Sequence, residues 1–239
     1  KLVASCNTKV HEGMEVYTNS KRVRDARRAN VQMILANHNY ECASCVRSGN
    51  CSLQSLANDL GITEVPYYEQ VDYEDWNYEI PLIRDASKCI RCMRCVSVCN
   101  KVQNMGVWNL KSNGYSAGIK VKGGKPIEEV DCAMCGQCIT HCPVGALIER
   151  DDTARVIEAI DDPDTITLVQ IAPAVRTAWG ETLGLSRDEA TVNRLVAALR
   201  AMGVDYIFDT NYSADLTIME EGTEFIERFT HRKDYTWPM

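Results

Sequence analysis

The stretch CIRCMRCVSVC, residues 89–99, and its counterpart CAMCGQCITHCP, residues 132–143, decide how this chain folds. They place Cys89, Cys92, Cys95 and Cys99, then Cys132, Cys135, Cys138 and Cys142, at C-x-x-C-x-x-C-x-x-x-C spacing. Three closely spaced soft thiolates wrap one corner of a cuboidal four-iron four-sulfur (4Fe-4S) cluster, and the fourth cysteine of such a run crosses to the other cluster. The spacing therefore predicts one cluster on Cys89, Cys92, Cys95 and Cys142, and another on Cys132, Cys135, Cys138 and Cys99. The crossed fourth ligand locks the two halves into one small fold. Zinc sites usually pair two C-x-x-C units at long separation, so this dense packing favours iron and sulfide over zinc or a disulfide framework. The first run lacks the Pro143 that follows the second, a departure that leaves the ligands untouched.

Outward from these runs, Pro81 to Ser87 and Ala146 to Arg150 read as short paired strands, each abutting a cysteine run. Val107 to Val121, with Gly114, Gly118 and the turn at Gly123-Gly124, reads as a hairpin inserted between the halves. Residues 80–151 thus form one module of the two-cluster ferredoxin kind. His141 is expected at the surface rather than tuning a cluster. Residues 64–79, EVPYYEQVDYEDWNYE, have no helical or strand period and are expected to be a linker packed over this module, in preference to a partner-docking surface.

Upstream, Ser20 is positioned to cap a helix from Lys21 to about Asn37, with Val23, Ala26, Val31, Ile34 and Leu35 at helical spacing. Its basic face, Lys21, Arg22, Arg24, Arg27 and Arg28, reads as solvated. At its end His38, Cys42, Cys45 and Cys51 spell H-x3-C-x2-C-x5-C. Three thiolates and an imidazole suit structural zinc, or a 4Fe-4S cluster with one His-ligated iron, where a neutral ligand in place of a thiolate raises the potential. Spacing alone does not decide between them; the two runs downstream favour iron and sulfide. Residues 1–20 read as short strands with a turn at Glu12-Gly13. Cys6, isolated there, is by itself more simply a buried hydrophobe than a ligand.

Downstream of Asp152 cysteine disappears. Arg155 to Ile160 is expected to be a short helix, Thr165 to Ile171 an apolar strand, Val175 to Thr182 a helix, Arg187 to Met202 a longer helix capped by Ser186 and ended by Gly203, and Asp205 to Asp209 a second strand. This βαβ order predicts a parallel doubly wound sheet with ligands beyond the strand ends, at Ala172-Pro173-Ala174 and Thr210-Asn211. A last helix, Ala214 to Phe229, gathers Ile218, Phe225, Ile226 and Phe229 on one side. Glu221 borders that face and Glu224 lies further round. The helical wheel alone has both solvated, with a proton-passing carboxyl of raised pKa as the alternative.

With 239 residues and 45% hydrophobic content, the chain can hold one or two cored domains with smaller modules beside them. No apolar run reaches the length of a membrane span; the longest, Ile166 to Val175, is broken by Gln170 and Pro173. There is no initiator Met or signal region, and both ends look cut. A net charge of -7 disfavours nucleic acid and anionic membranes as partners and suits docking on other proteins. Twelve cysteines at ligand spacing point to a reducing cytoplasm.

The order of a Cys6-bearing segment, H-x3-C-x2-C-x5-C, two ferredoxin runs, then IAPAVRTAWGE (171–181) and DTNYSADLTIMEEGTEFIER (209–228), resembles the iron-only (FeFe) hydrogenases along essentially the whole chain. The first half is shared with other electron-input modules; the last eighty or so residues look like the opening of the hydrogenase catalytic domain. The resemblance implies an α+β modular fold. Residues 1–20 would be the remnant of a 2Fe-2S ferredoxin-like domain, 21–63 a 4Fe-4S module with one histidine and three cysteine ligands, 64–79 a linker, 80–151 the two-cluster ferredoxin module, and 152–239 the start of an α/β catalytic domain. It implies that Cys6 is the last of four ligands to a 2Fe-2S cluster, that His38, Cys42, Cys45 and Cys51 hold a His-ligated 4Fe-4S cluster, and that Ala172, Pro173 and Ala174 face the catalytic diiron site. It makes Glu221 and Glu224 members of a proton path, against the wheel. The family carries a Cys-Cys pair just beyond the position of Met239 and further cysteines downstream, so this chain is expected to be part of a longer protein that completes the catalytic H-cluster.

The function these readings imply is electron relay through three 4Fe-4S clusters, and one 2Fe-2S cluster, in a hydrogenase that interconverts protons and electrons with dihydrogen. Its expected partners are a ferredoxin, or NADH-oxidising flavoprotein and 2Fe-2S subunits in a hetero-oligomer. The alternatives are the large subunit of an NAD-linked formate dehydrogenase, whose region after Asp152 would begin a molybdopterin domain, and a non-catalytic iron-sulfur carrier.

Overall fold

The computed structural model describes residues 1–68, 70–114 and 117–237, in two compact units, Lys1–Arg150 and Asp151–Met239. In the first unit, α1 (Lys21–Leu35) starts where Ser20 accepts a hydrogen bond from the Val23 N–H at 3.4 Å. It buries Val31 and Leu35. A tight turn at Cys42–Ser44 leads to α2 (Ser52–Asp59), which turns Leu53 into the same core.

Then come β1 (Leu82–Arg84), α3 (Arg94–Lys101), β2 (Trp108–Lys111), β3 (Gly118–Val121), α4 (Gln137–Thr140) and β4 (Leu147–Glu149). β1 and β4 pair antiparallel with Ile83 opposite Ile148, and β2 and β3 pair with Trp108 opposite Val121, so the expected strand pair and the expected hairpin both form. The tip of the second hairpin, at Tyr115 and Ser116, lies outside the described residues. Trp108 is the most deeply buried large side chain among the described residues and shares one core with Val107, Ile119, Val121, Leu82 and Leu147.

The segment 64–79 covers this core. Trp76 stacks on Trp108 at 6.1 Å between ring centroids and donates its indole N–H to the Leu82 carbonyl at 2.8 Å. Residues 1–20, by contrast, form no strand. The turn at Glu12-Gly13 is present, with Gly13 at φ +76°. Val10, however, is 88% exposed, and Val3 and Val16 are exposed as well. β-branched residues make a strand only against a partner ladder, and among the described residues none pairs with this segment.

In the second unit α5 (Thr153–Asp161), β5 (Leu168–Ile171), α6 (Pro173–Ala178), α7 (Val192–Ala201), β6 (Tyr206–Asp209) and α8 (Thr210–Thr230) follow one another. β5 and β6 are parallel, with Leu168 opposite Tyr206 and Ile171 opposite Asp209. The crossover between them gives the expected βαβ unit; among the described residues the sheet has these two strands alone. Ile171 and Val204 are buried, while the apolar face of α8, Ile218, Phe225, Ile226 and Phe229, is exposed.

The expected helix from Arg187 begins five residues late. Glu189 is held by the Ser186 N–H and hydroxyl, and the Ala190 carbonyl accepts the Trp179 indole N–H at 3.1 Å instead of a helical amide. Thr191 then caps α7, receiving the Arg194 N–H. The fraying turn at 187–190 is what a Ser-x-x-Glu box becomes when its carbonyl is claimed from outside. α8 likewise starts earlier than Ala214, because Asp209 accepts the Asn211 N–H at its N-cap.

Asp205 ties the strand starts together, accepting from the Thr167 N–H at 2.7 Å and the Thr167 hydroxyl at 2.9 Å. These bonds hold its carboxyl below the usual carboxylate range. Because the folded-state pKa is depressed, the tether is present above about pH 3.8 and is lost as pH falls through the lower folded value. The Asp205 carboxyl should titrate below its value in an unfolded peptide, with Thr167 amide exchange accelerating in step; coincidence with the free-peptide curve would refute the tether.

Candidate metal centres

The first cysteine group is built by a wound loop. Arg91 and Met93 take left-handed backbone angles, φ 57° and 64°, between Cys89, Cys92 and Cys95. Met134 and Gly136, at the equivalent places of the second run, do the same at φ 47° and 71°. A left-handed non-glycine residue costs on the order of 1 kcal/mol or more, and such strain persists where surrounding structure demands it. Here it turns successive thiols inward. Cys89, Cys92, Cys95 and Cys142 line one cavity, with Arg84, Ile119 and Leu147 among its other walls. The distant Cys142 therefore stands with the first run, as the crossed spacing expects.

Cys99, on α3, is buried and stands with the second run, close enough to influence Cys132 and Cys138. The Val107 N–H donates to the Cys99 sulfur at 3.3 Å, and the Trp108 indole hydrogen-bonds the Cys138 sulfur. Burial first, then the neighbouring Cys89, Cys92 and Cys142 thiolates, push Cys95 up to about 12, with a bond from the Val96 N–H opposing. Burial first, then Cys132, Cys135 and Cys99, push Cys138 to about 11, with Trp108 opposing. Cys89 and Cys132 are raised by burial too, and at Cys89 the Arg91 N–H and the Arg84 charge pull back. Crowded, buried thiols of this kind ionise only when a cation shares the site, so the donor set fits iron.

His38 is buried, and its Nδ1 has no hydrogen-bond partner among the described residues. Burial lowers its pKa, the nearby Lys88 carbonyl opposing, which keeps the ring neutral and able to bind a metal. His38, Cys42 and Cys51 line a cavity of about 350 Å³ together with Leu35, Leu53 and Val65. Cys45 does not line it but is close enough to Cys42 to raise its pKa, and a Cβ added at Gly145 would stand 3.2 Å from the Cys45 sulfur. The Asn39 N–H donates to the Ser87 carbonyl at 2.8 Å, and the Ser52 N–H to the Pro143 carbonyl at 3.2 Å. The His-Cys loop thus rests on the segments that lead into Cys89 and out of Cys142. Among the described residues no three His, Cys, Asp or Glu side chains converge tightly enough for a single metal ion. The thiols line cavities, an arrangement suited to a polynuclear cluster, whose protein ligands stand farther apart than four donors at about 2–2.3 Å around one zinc.

The other expected site residues are exposed. Cys6 is open to solvent, contrary to its bare reading as a buried hydrophobe. Ala172 caps α6, Pro173 begins it and Ala174 follows, all exposed at the C-terminal end of β5. Glu221 and Glu224 are exposed on α8, with Glu224 paired to Arg228 at 2.6 Å. His141 is exposed, as expected. Three contributors escaped the sequence reading: Arg84, Val107 and Trp108. The charge of Arg84 within an otherwise apolar strand was the available signal for the first; a backbone N–H leaves none.

Residues 165–239 match the family described as iron only hydrogenase large subunit, C-terminal domain. Over that segment the chain is similar to the iron-only hydrogenases. Residues 27–66, the His38 module, match the iron-sulfur binding region of NADH-ubiquinone oxidoreductase G, and residues 88–146 match a 4Fe-4S dicluster domain. Among curated relatives, the chain is 42% identical over 228 residues to the NADP-reducing hydrogenase subunit HndD of Solidesulfovibrio fructosivorans, covering 95% of this chain and 39% of that one. It is 34% identical over 231 residues to iron hydrogenase 1 of Clostridium pasteurianum, covering 95% and 40%. The chain thus spans about two fifths of the length of these relatives. A solved NAD+-reducing nickel-iron hydrogenase shares the fold, with a TM-score of 0.57 at 22% identity over 80% of this chain and 76% of that one. No helix among the described residues is long and apolar enough to cross a membrane.

Proposed function

We propose that this chain relays electrons through three 4Fe-4S clusters to the catalytic H-cluster of an FeFe hydrogenase, an enzyme that joins two protons and two electrons into dihydrogen or runs the reverse. The observation that carries this is the iron-only hydrogenase match at residues 165–239, in one chain with two crossed groups of four thiols. Bound clusters supply one-electron carriers. The protein's part is to hold them, exclude water and bias their potentials.

In this reading Cys89, Cys92, Cys95 and Cys142 hold one cluster, Cys132, Cys135, Cys138 and Cys99 a second, and His38, Cys42, Cys45 and Cys51 a third. The unpartnered Nδ1 of the buried His38 supports the last assignment over a mere core histidine. Cys6 completes a 2Fe-2S site with ligands outside residues 1–239, and its exposure is consistent with that. Ala172, Pro173 and Ala174 form part of the diiron pocket, and Glu221 and Glu224 pass protons to it. The modules run over 1–20, 21–63, 64–79, 80–151 and 152–239. The protein works in the cytoplasm within a hetero-oligomer, taking electrons from or giving them to ferredoxin, or to flavoprotein and 2Fe-2S subunits that handle NAD(P)H.

Anaerobically purified full-length protein should contain iron and acid-labile sulfide, give electron paramagnetic resonance signals on reduction, and evolve hydrogen from a reduced ferredoxin or viologen. Glu221→Gln and Glu224→Gln should each lower turnover by at least about tenfold, the scale of a lost proton-transfer group, while leaving those signals intact. Zinc in place of iron and sulfide would end the proposal; clusters without hydrogen chemistry would reduce it to an electron carrier.

A further inference from the structure

Arg84 is an unusual residue for its position. It ends the three-residue strand β1 and is only 5% exposed. Its guanidinium donates to the Glu74 carboxylate and to the Ile119 carbonyl and lies over the Trp108 ring, 5.6 Å from the centroid. Its side chain is also a wall of the cavity that holds Cys89, Cys92, Cys95 and Cys142. Among the described residues the one carboxylate paired with it is Glu74, and that carboxylate is shared, because Glu74 is also paired with Lys120 at 3.1 Å. The local sum of Arg84, Lys120 and Glu74 is therefore one positive charge beside one thiol group. The contributors identified at the second group are neutral donors, the Trp108 indole and the Val107 N–H.

We infer that Arg84 sets the reduction potential of the cluster on Cys89, Cys92, Cys95 and Cys142, making it easier to reduce than the same cluster without a buried cation, with Glu74 as the opposing charge. This rests on the proposed binding of a cluster at that site. Taking up one electron from a donor makes the cluster one charge more negative. A guanidinium held out of water favours that form through a Coulomb interaction that solvent screens poorly. A neutral N–H dipole acts in the same direction more weakly, so the two sites are biased by different means. An electron is thereby held preferentially at the first group, which is also the one against which the His38 loop rests.

The test is a redox titration of the full-length protein with its clusters assembled, followed by electron paramagnetic resonance in the unmodified protein and in Arg84→Gln, Arg84→Lys and Glu74→Gln. The relevant signal is identified as the one that Cys89→Ala abolishes. Arg84→Gln should lower its midpoint by about a tenfold change in the ratio of oxidised to reduced form at fixed potential, which is about 59 mV for one electron. Glu74→Gln should raise it, and Arg84→Lys should stay near the unmodified value. A brace with no electrostatic role would move both glutamine variants in the same direction or in neither, and either result overturns the inference. So does an equal shift of all the clusters. Should Arg84→Gln fail to fold, the sign for Glu74→Gln still decides. Absence of iron and sulfide from the unmodified protein would sink the underlying cluster assignment and this inference with it, a failure distinct from clusters that are present and do not shift.

Discussion

Replacing Cys142 by alanine should remove the cluster whose other ligands lie some fifty residues upstream and spare the one bound by its own neighbours. The reason is geometric: Cys142 follows α4 but shares its cavity with Cys89, Cys92 and Cys95, whereas Cys138, on α4 itself, stands with Cys132, Cys135 and Cys99. Cys142→Ala and Cys89→Ala should therefore abolish the same paramagnetic signal. Cys99→Ala should abolish the one lost in Cys132→Ala. Each single variant should shed about four irons of about twelve held in three 4Fe-4S sites. Were Cys142→Ala to silence the signal lost in Cys132→Ala, ligation would run within each run and the crossing would be wrong.

Stripping iron and sulfide should unfold most of residues 80–150 rather than merely vacate the sites. Among the described residues the strands there are three or four residues long and pair only in twos, and α4 is a single turn of four residues. Two-stranded sheets are marginal in water. The buried core counts Cys99, Cys138 and Cys142 among its members, so part of the apolar packing is itself the ligand set. Without a cation, thiols that titrate near 11 and 12 remain protonated, and the left-handed residues between them lose the bonds that hold them in place. Binding free energy is then folding free energy. The loss should be on the order of 5 kcal/mol or more, comparable with the whole stability of a small domain. Anaerobic iron chelation should collapse far-ultraviolet circular dichroism and strip hydrogen-exchange protection from the Lys122 amide at the end of β3, which donates to the Val107 carbonyl at 2.8 Å. Persistent protection there would mean that the apolar core suffices alone.

What the sequence made legible was set by local chemistry. α1 was readable because Ser20 can cap only one way into its apolar period, and the β1–β4 and β2–β3 pairs because glycines and cysteine runs bracket short apolar stretches. The cysteine grouping was readable because ligand spacing is dictated by the shape of the cluster rather than by the polypeptide. Tertiary effects were not readable. The start of α7 depends on an indole eleven residues away claiming the Ala190 carbonyl, which no window of helical periodicity contains. The valines of residues 1–20 look like strand positions, yet propensity has no effect where a partner is lacking. Arg84 and Trp108 act through the third dimension, one strand placing a charge and another an indole beside sulfur atoms far along the chain.

The seat of the His38 loop on the Ser87 and Pro143 carbonyls, with the Cys45 sulfur against Gly145, bears on how such proteins can be recombined. Electron-input segments of this kind invite treatment as interchangeable parts, yet here the joint is a tight fit in which even one extra methyl, at Gly145, would crowd a sulfur. A chimera that imports residues 21–63 from a relative should transmit electrons well only if it also imports the matching surface around 85–88 and 143–145, so the practical unit of exchange is larger than the motif.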